Sequence, residues 1–148
     1  MLTKYFITFI LSGTPVSECR GAIIYGLANG LNPWLVLILA IIGNIIVIPI
    51  TFWLLKLAHF RKIIFRLFKE RAVSKIKKYR KKFELYEELA LLFFVAIPLP
   101  VTGGFTGILI SEILDLNRKK ATVVISIGVI LAAIIVFIGS ELGLLFFK

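Results

Sequence analysis

The sequence predicts an all-α integral membrane protein built as an inverted-topology repeat. Each unit is predicted to be a re-entrant helical hairpin followed by one transmembrane helix, and a basic amphipathic cytoplasmic helix joins the two units. Three observations lead to this fold class. Hydrophobic residues make up 59% of the 148-residue chain, against about 45–50% in soluble domains. Residue identities recur at an offset of 85 positions, and basic residues concentrate between two apolar blocks.

The recurrence includes residues that fix the local backbone conformation. Apolar matches arise readily in a chain rich in Ile and Leu, so matched proline, asparagine and glycine residues are more informative. The pairs that share one are Pro15-Val16 with Pro100-Val101, Leu31-Asn32 with Leu116-Asn117, and Gly43 with Gly128. Duplicated membrane units are typical of transporter folds. We therefore predict a single membrane domain, residues 1–148, comprising repeat one (5–55), a connector (56–83), repeat two (84–140) and a short C-terminal tail (141–148).

Repeat one begins with an apolar stretch that is interrupted half way. Residues 5–12 are followed by Gly13 and Pro15, and a second apolar arm begins at Gly21. Proline removes a backbone donor and glycine loosens a helix, so these residues predict a turn. Arms of about 8–11 residues reach only half way through a bilayer. Residues 34–55 supply 22 mostly apolar residues, which is enough for a complete crossing.

Repeat two has the same organisation. Its apolar block, residues 89–97, is interrupted by a break rich in proline and glycine, which contains Pro98, Pro100, Gly103 and Gly104. A second arm, residues 105–114, follows the break, and residues 121–139 form the second candidate span.

Each interrupted block is compatible with one kinked span or with a hairpin that enters and leaves on the same side. Twelve of the 18 basic residues lie within residues 56–83, so the positive-inside rule predicts that this connector is cytoplasmic. Only hairpins return the basic residues at 117–120 to the same side, and hairpins are therefore favoured. Apolar residues recur at helical spacing in the connector, which predicts an amphipathic helix attracted to anionic lipid headgroups.

Composition also limits the partners and cofactors. The membranous surroundings of the basic stretch argue against nucleic acid as its partner. One cysteine and one histidine do not make the usual zinc or disulfide patterns, so no metal or other cofactor is expected. No nucleophile–base set indicates an enzyme. Two small units bury little interior, which is compatible with a homodimer.

Glu18 and Arg20 follow the first break and are the leading candidate site residues. A charge at the centre of a membrane helix costs about 2.5–3.5 kcal/mol on translocon scales, so it marks a functional site by default. Residues two apart do not face each other on a helix, so either the segment is non-helical there or each charge has its own partner. We expect Arg20 to hold an anionic group, because its planar fork matches phosphate, and Glu18 to exchange a proton. The alternative is a structural charge pair that stabilises the hairpin tip.

The second hairpin has no charge at the equivalent positions, 103 and 105. The residues predicted to complete the site from this side are small or polar: Thr102, Gly103, Gly104, Thr106 and, as a secondary candidate, Glu112. Free backbone amides at the glycines are able to contact an anion. Asn44, in the first span, is expected to have a packing or helix-bending role.

The chain resembles the family named small multi-drug export protein. The resemblance covers nearly the whole chain and is carried by the sequences at residues 17–23 (Ser-Glu-Cys-Arg-Gly-Ala-Ile), 30–33 (Gly-Leu-Asn-Pro) and 96–107, which contains Pro-Leu-Pro-Val-Thr-Gly-Gly. The chain departs from the family's usual pattern at Cys19, Ile24, Val101 and Phe105, which affects tip geometry more than charge. The family in turn is similar to the wider DedA/VTT membrane superfamily, whose folds pair two re-entrant hairpins with spanning helices.

The resemblance implies a membrane transporter. Members of the superfamily are implicated in moving phospholipids or polyprenyl-phosphate carriers between leaflets, with proton coupling in bacterial members. The function expected from it is proton-linked flipping of a phosphate-bearing lipid, with Glu18 and Arg20 at the site. The alternatives are a small exporter of lipophilic cations and a non-transporting membrane scaffold. Fold alone does not decide between them.

Overall fold

The computed structural model describes residues 1–57, 80–98 and 103–146. The described residues form α-helices joined by short turns, with no strand among them. Numbered in chain order, the helices are α1 (Leu2–Ser12), α2 (Glu18–Ala28), α3 (Pro33–Leu57), α4 (Arg80–Ala96), α5 (Gly104–Ile113) and α6 (Arg118–Phe146). The prediction of an all-helical fold is confirmed.

Both predicted breaks interrupt their helices. The chain leaves helical geometry between α1 and α2, and again between α4 and α5. α4 begins at Arg80, inside the stretch assigned to the connector, and α6 continues to Phe146, into the stretch assigned to the tail. The amphipathic helix predicted within 56–83 falls mostly on residues 58–79, which lie outside the described residues.

Two helices are long and apolar enough to cross a membrane, over Pro33–Lys56 and Arg118–Gly143. Only 33% and 39% of their most apolar windows are buried inside the protein, whereas a helix in a soluble core that is apolar all round is mostly buried. Large apolar side chains are exposed along both helices, Ile38, Ile46 and Ile127 among them. Soluble monomers rarely expose apolar surface on this scale. The fold is consistent with an integral membrane protein.

The two tryptophans of the chain lie near opposite ends of α3. Trp34 is 67% exposed and Trp53 is 61% exposed, and they are 19 residues apart. That separation is about 28 Å along a helix, close to the ~30 Å thickness of a bilayer's hydrocarbon core. Tryptophan prefers the two membrane–water interfaces. The positions of the two side chains therefore fit the interfaces, and the middle of the layer falls at Gly43 and Asn44.

One end of the bundle gathers the starts of α1 and α3. The amide of Asn32 donates a hydrogen bond to the Tyr5 hydroxyl at 3.1 Å. The ring of Trp34 packs on that of Phe137 with centroids 5.6 Å apart. α1 therefore starts where α2 ends, and α6 passes the start of α3 in its second half. We call this the Trp34 end.

The opposite end gathers the C-terminal part of α3, the middle of α4 and the first turn of α6. The Arg118 guanidinium lies 6.0 Å from the centroid of the Phe52 ring. Lys120 forms an ion pair with Glu88 at 3.1 Å. α3 and α6 thus run in opposite directions, and α5 returns to the end from which α4 came. We call this the Arg118 end.

α2 and α5 end in the same way. Gly30 (φ 68°) and Asp115 (φ 55°) both adopt the left-handed conformation, as expected for the residue that closes a Schellman motif. The amide after each one makes the long return bond of that motif: Leu31 N to Gly26 O at 3.2 Å and Leu116 N to Ser111 O at 2.9 Å. All of these residues are related by the 85-residue offset.

α3 and α6 also begin in the same way. The Asn32 side-chain oxygen accepts a hydrogen bond from the Trp34 amide at 3.1 Å. The Asn117 side-chain oxygen accepts one from the Lys119 amide at 3.0 Å. Asparagine is among the best N-cap residues because it satisfies an otherwise unpaired donor of the first turn. The repeated Leu-Asn pair is explained by these turns.

The repeated glycines mark close helix crossings. A Cβ added to Gly43 would lie 2.9 Å from the Phe9 carbonyl oxygen of α1. A Cβ added to Gly128 would lie 2.8 Å from the Val95 Cβ of α4. Each half therefore packs its first helix on its third at a glycine. The halves meet where α3 and α6 pack together, with α2 on α6 and α3 on α5.

Candidate functional site

Glu18 reaches from the first half of the chain to the second. It is 8% exposed, and its Oε1 accepts a hydrogen bond from the Phe105 amide at 3.2 Å. The Gly104 amide also donates toward this carboxylate. Phe105 and Gly104 are in the first turn of α5, where backbone amides have no helical partner. Glu18 therefore caps a helix that begins 86 residues later in the chain.

Gly103 makes room for this carboxylate. A Cβ at that position would overlap the carboxyl group of Glu18. Gly103 has extended backbone angles that any residue adopts, so its small size, not its conformational freedom, explains the glycine. Glu18 itself has φ 51°, a left-handed conformation that costs a non-glycine residue about 1–2 kcal/mol.

Arg20 binds the other end of the same break. Its Nη2 donates to the carbonyl oxygens of Val95 at 3.1 Å and Ile97 at 3.3 Å. Those carbonyls lie at the C-terminal end of α4, where carbonyl groups lack helical partners and carry partial negative charge. The Arg20 guanidinium supplies these carbonyls with hydrogen-bond donors and places a positive charge beside their partial negative charge.

The two charges of the first hairpin thus hold both ends of the interrupted α4–α5 pair. The carboxylate of Glu18 faces the positive N-terminus of α5, and Arg20 faces the negative C-terminus of α4. Favourable charges at partly buried helix ends contribute up to about 2 kcal/mol each. Of the two arrangements that the sequence left open, the second occurs: each charge has its own partners. Both residues are in α2, whose first residue, Glu18, has a left-handed φ of 51°.

Asn44 connects the two hairpins at the middle of α3. It is 2% exposed, and its Nδ2 donates to the Ser12 carbonyl oxygen, the last of α1, at 2.9 Å. Its Oδ1 lies 2.9 Å from where a Cβ on Gly104 would be. The sequence predicted a packing or helix-bending role for Asn44, and in the structure it packs between the end of α1 and the start of α5. A single amide at the midpoint of an apolar span is the signal that points to it.

Cys19 makes the corresponding contact on the other side. Its Sγ lies 3.9 Å from the Val129 carbonyl oxygen in α6. Cys19 and Gly104 are related by the 85-residue offset, as are Asn44 and Val129. The contact between α2 and α6 is therefore the counterpart of the contact between α5 and α3.

Glu112 lies away from these residues. Its two carboxylate oxygens accept hydrogen bonds from Arg118, at 2.6 Å to Nε and 3.1 Å to Nη2. This bidentate ion pair bridges the turn between α5 and α6 at the Arg118 end. The structure therefore pairs Glu112 with Arg118 and does not bring it to Glu18 and Arg20; its role as a secondary site residue stays a prediction. Thr106 is half-buried in the first turn of α5.

The remaining predicted residues belong to the breaks. Gly13, Pro15 and Gly21 lie in or beside the turn between α1 and α2, and a Cβ on Gly21 would overlap the Ser17 hydroxyl. Pro98 follows the end of α4. Pro100 and Thr102 lie outside the described residues. Within the described ranges, no three His, Cys, Asp or Glu side chains come together as a metal site.

A comparison with family profiles places this site in context. The matched segment is residues 18–135, about four fifths of the chain, and it begins at Glu18 and includes Arg20, Asn44 and Gly103. No curated protein and no solved structure matched the chain. The chain belongs to the family described as "Putative small multi-drug export protein".

Proposed function

We propose that the protein is a proton-linked membrane transporter that moves a phosphate-bearing lipid, such as polyprenyl phosphate or phospholipid, across the bilayer. The observation that carries the proposal is the pair of contacts from Glu18 to the start of α5 and from Arg20 to the end of α4. One acidic and one basic side chain, two residues apart, hold an interrupted helix at membrane mid-depth. The resemblance to the DedA/VTT superfamily supports the same function.

The proposed architecture is an inverted repeat. α1–α2 and α4–α5 are the two re-entrant hairpins, and α3 and α6 are the two crossings. Contacts at the Trp34 and Arg118 ends support it, because the hairpins enter from opposite ends and the two crossings run in opposite directions. The positive-inside rule then makes the Arg118 end, with residues 56–83 and 117–120, cytoplasmic in a multi-pass protein of the cell membrane.

The chemistry of the site favours an anionic substrate. In the described state, the carboxylate of Glu18 accepts the hydrogen bonds of the backbone amides at the start of α5. Protonation of Glu18 would remove its charge and weaken these bonds. The start of α5 and Arg20 would then face the site together, and both attract anions. A phosphate group is able to replace the carboxylate, which links substrate entry to proton uptake.

Export of lipophilic cations is the second candidate, and the description of the matched family favours it. A cation would need the carboxylate of Glu18 as its partner. That carboxylate is engaged by backbone amides and has Arg20 nearby, so a cation would have to displace both. An efflux assay with a cationic dye in cells that overproduce the protein tests this function directly. Faster efflux that is lost in Glu18→Gln would favour it.

Translocation in proteoliposomes tests the main proposal. Labelled polyprenyl phosphate is followed between leaflets for the wild type, Arg20→Gln and Arg118→Ala. Arg20→Gln keeps a polar amide but loses the positive charge and the guanidinium that binds the carbonyls of Val95 and Ile97. Arg118→Ala is the matched control, because Arg118 belongs to the end of the bundle. We expect loss of translocation in Arg20→Gln only. Equal rates for the wild type and Arg20→Gln would refute a phosphate-binding role.

The proton link is tested with Glu18→Gln. Glutamine keeps the size and an oxygen acceptor for the Phe105 amide but does not titrate in the accessible range. We expect translocation by the wild type to change with pH and translocation by Glu18→Gln to be flat or absent. Transport by Glu18→Gln with the wild-type pH dependence would remove Glu18 from the coupling step.

A further inference from the structure

The tip of the first hairpin is exposed although it lies at membrane depth. We use the name first tip for residues 14–17, between α1 and α2. Val16 is 95% exposed, as much as the N-terminal Met1, and Pro15 beside it is also exposed. By contrast, Glu18, the next residue after the first tip, is almost completely buried.

Contacts on both sides of the first tip fix its depth. Gly13, which precedes it, would bring a Cβ within 3.0 Å of Val47 Cγ2. Val47 lies about 9 Å from Trp53 along α3, well inside the interface. Glu18, which follows the tip, meets Gly103 and Gly104 beside Asn44, at the middle of α3. The exposed residues therefore join two points within the hydrocarbon layer.

Polar groups accompany this exposed surface. Among the hydrogen bonds between described residues, the amides of Ser17 and Glu18 both bond to Thr14, and none is made by the Val16 amide. The bond from Arg20 to the Ile97 carbonyl is itself exposed, and Ile97 is 48% exposed. Irregular backbone does not face lipid at this depth, and a guanidinium there faces protein or water.

We propose that the first tip and Arg20 line a water-filled vestibule that opens toward the Arg118 end. The proposal rests on the membrane topology given above. The first hairpin enters from the Trp34 end, so the surface beyond its tip faces the opposite end. The vestibule brings water, and with it protons and a hydrated phosphate group, to Arg20 from the basic side of the protein. The Glu18 carboxylate lies behind the first tip and is not exposed to the vestibule in the described state.

Cysteine labelling tests the vestibule. The chain has a single cysteine, Cys19, which is 2% exposed, so the wild type serves as an unlabelled background. Val16→Cys is compared with Ile42→Cys, whose position is at similar depth on the exposed face of α3. A charged, membrane-impermeant maleimide is added to either side of oriented vesicles. Maleimides react with thiolates, which form in water and not in lipid. We therefore expect Val16→Cys to be labelled at least about tenfold faster than Ile42→Cys.

The side of labelling provides the second readout. Lys119→Cys reports the Arg118 end and Ala28→Cys the Trp34 end, both at exposed positions. We expect Val16→Cys to be labelled from the side that labels Lys119→Cys. Each variant is first checked for wild-type elution and thermal unfolding in detergent, so that a misfolded protein is not scored.

The outcomes separate the vestibule from the topology. An unlabelled Val16→Cys, with Lys119→Cys and Ala28→Cys labelled from opposite sides, would overturn the vestibule and leave the topology intact. Disulfide-linked dimers through Val16→Cys would also overturn it, because a second copy would then cover the tip. Labelling of Lys119→Cys and Ala28→Cys from the same side would instead refute the proposed topology.

Discussion

The carboxylate of Glu18 lies directly against Gly103, the residue 85 positions later to which the repeat aligns it. In the proposed inverted repeat, a residue that touches its own counterpart lies on the axis that would relate the two halves. The contacts of Cys19 with Val129 and of Gly104 with Asn44 lie on either side of this point. Only Glu18 supplies a side chain at this point, because even a Cβ at position 103 would overlap its carboxyl group.

We expect Gly103→Ala to displace the carboxylate of Glu18. The added methyl group would occupy the place of the carboxyl group, and the flexible end of Glu18 is able to swing away more easily than the backbone moves. Loss of the bond to the Phe105 amide should lower the free energy of unfolding by about 1–2 kcal/mol. The measurement is thermal or denaturant unfolding in detergent, together with lipid translocation in proteoliposomes.

Gly139→Ala is the matched control for that variant. Gly139 is also in the second half, and nothing lies within 4 Å of where its Cβ would be. Alanine there should leave stability unchanged or raise it by up to about 1 kcal/mol. A double variant of Glu18→Gln and Gly103→Ala should be no worse than the more impaired single variant. Fully additive losses would contradict the displacement of Glu18 as the cause.

At both left-handed turn positions, Gly30 and Asp115, glycine should give a more stable protein than alanine. Gly30→Ala should lower the free energy of unfolding by about 1–2 kcal/mol, because alanine is strained at positive φ. No atom lies within 4 Å of its Cβ position, so the effect is conformational. At the equivalent position, Asp115→Gly should be about 1 kcal/mol more stable than Asp115→Ala, since both variants remove the same carboxylate. Equal unfolding midpoints for the two Asp115 variants would contradict this account.

The sequence alone was sufficient to predict an all-helical chain, its two long apolar helices and the two places where helices are interrupted. Proline and glycine interrupt helices through local effects, and apolar length alone identifies a span. The repeated Leu31-Asn32 pair was likewise interpretable, because Schellman and N-cap turns are formed by residues close together in the chain. Glu18 and Arg20 were identifiable as unusual because charge in an apolar segment is costly wherever it packs.

The partners of those charges were not predictable from the chain. Glu18 bonds to a residue 87 positions away and Arg20 to residues 75 and 77 away, so both pairings depend on how the hairpins pack. The ion pair of Glu112 with Arg118 was not predictable for a related reason. The two residues are six positions apart, and the left-handed turn at Asp115 folds the chain back and brings their side chains together.

We expect the Glu112–Arg118 ion pair to contribute to stability and not to proton coupling. Glu112→Gln should lower the free energy of unfolding by about 1 kcal/mol, because the pair is bidentate but partly exposed to solvent. Translocation by this variant should keep the wild-type pH dependence. Reversing both charges, with Glu112→Arg and Arg118→Glu, should recover part of the lost stability. A pH profile flattened by Glu112→Gln would contradict the separation between Glu112 and the site.

Asn44→Leu tests whether one amide links the two hairpins. Leucine keeps the branched shape and the number of heavy atoms but cannot donate to the Ser12 carbonyl oxygen, which Asn44 bonds at 2.9 Å. Hydrogen bonds between membrane helices contribute about 0.6–1.7 kcal/mol, and we expect a loss of that size with slower translocation. Ser12→Ala is the control, because the Ser12 hydroxyl bonds to Phe9 within α1 and the carbonyl that Asn44 needs is retained. Equal losses in the two variants would show that packing around Ser12, and not the amide of Asn44, joins the hairpin to α3.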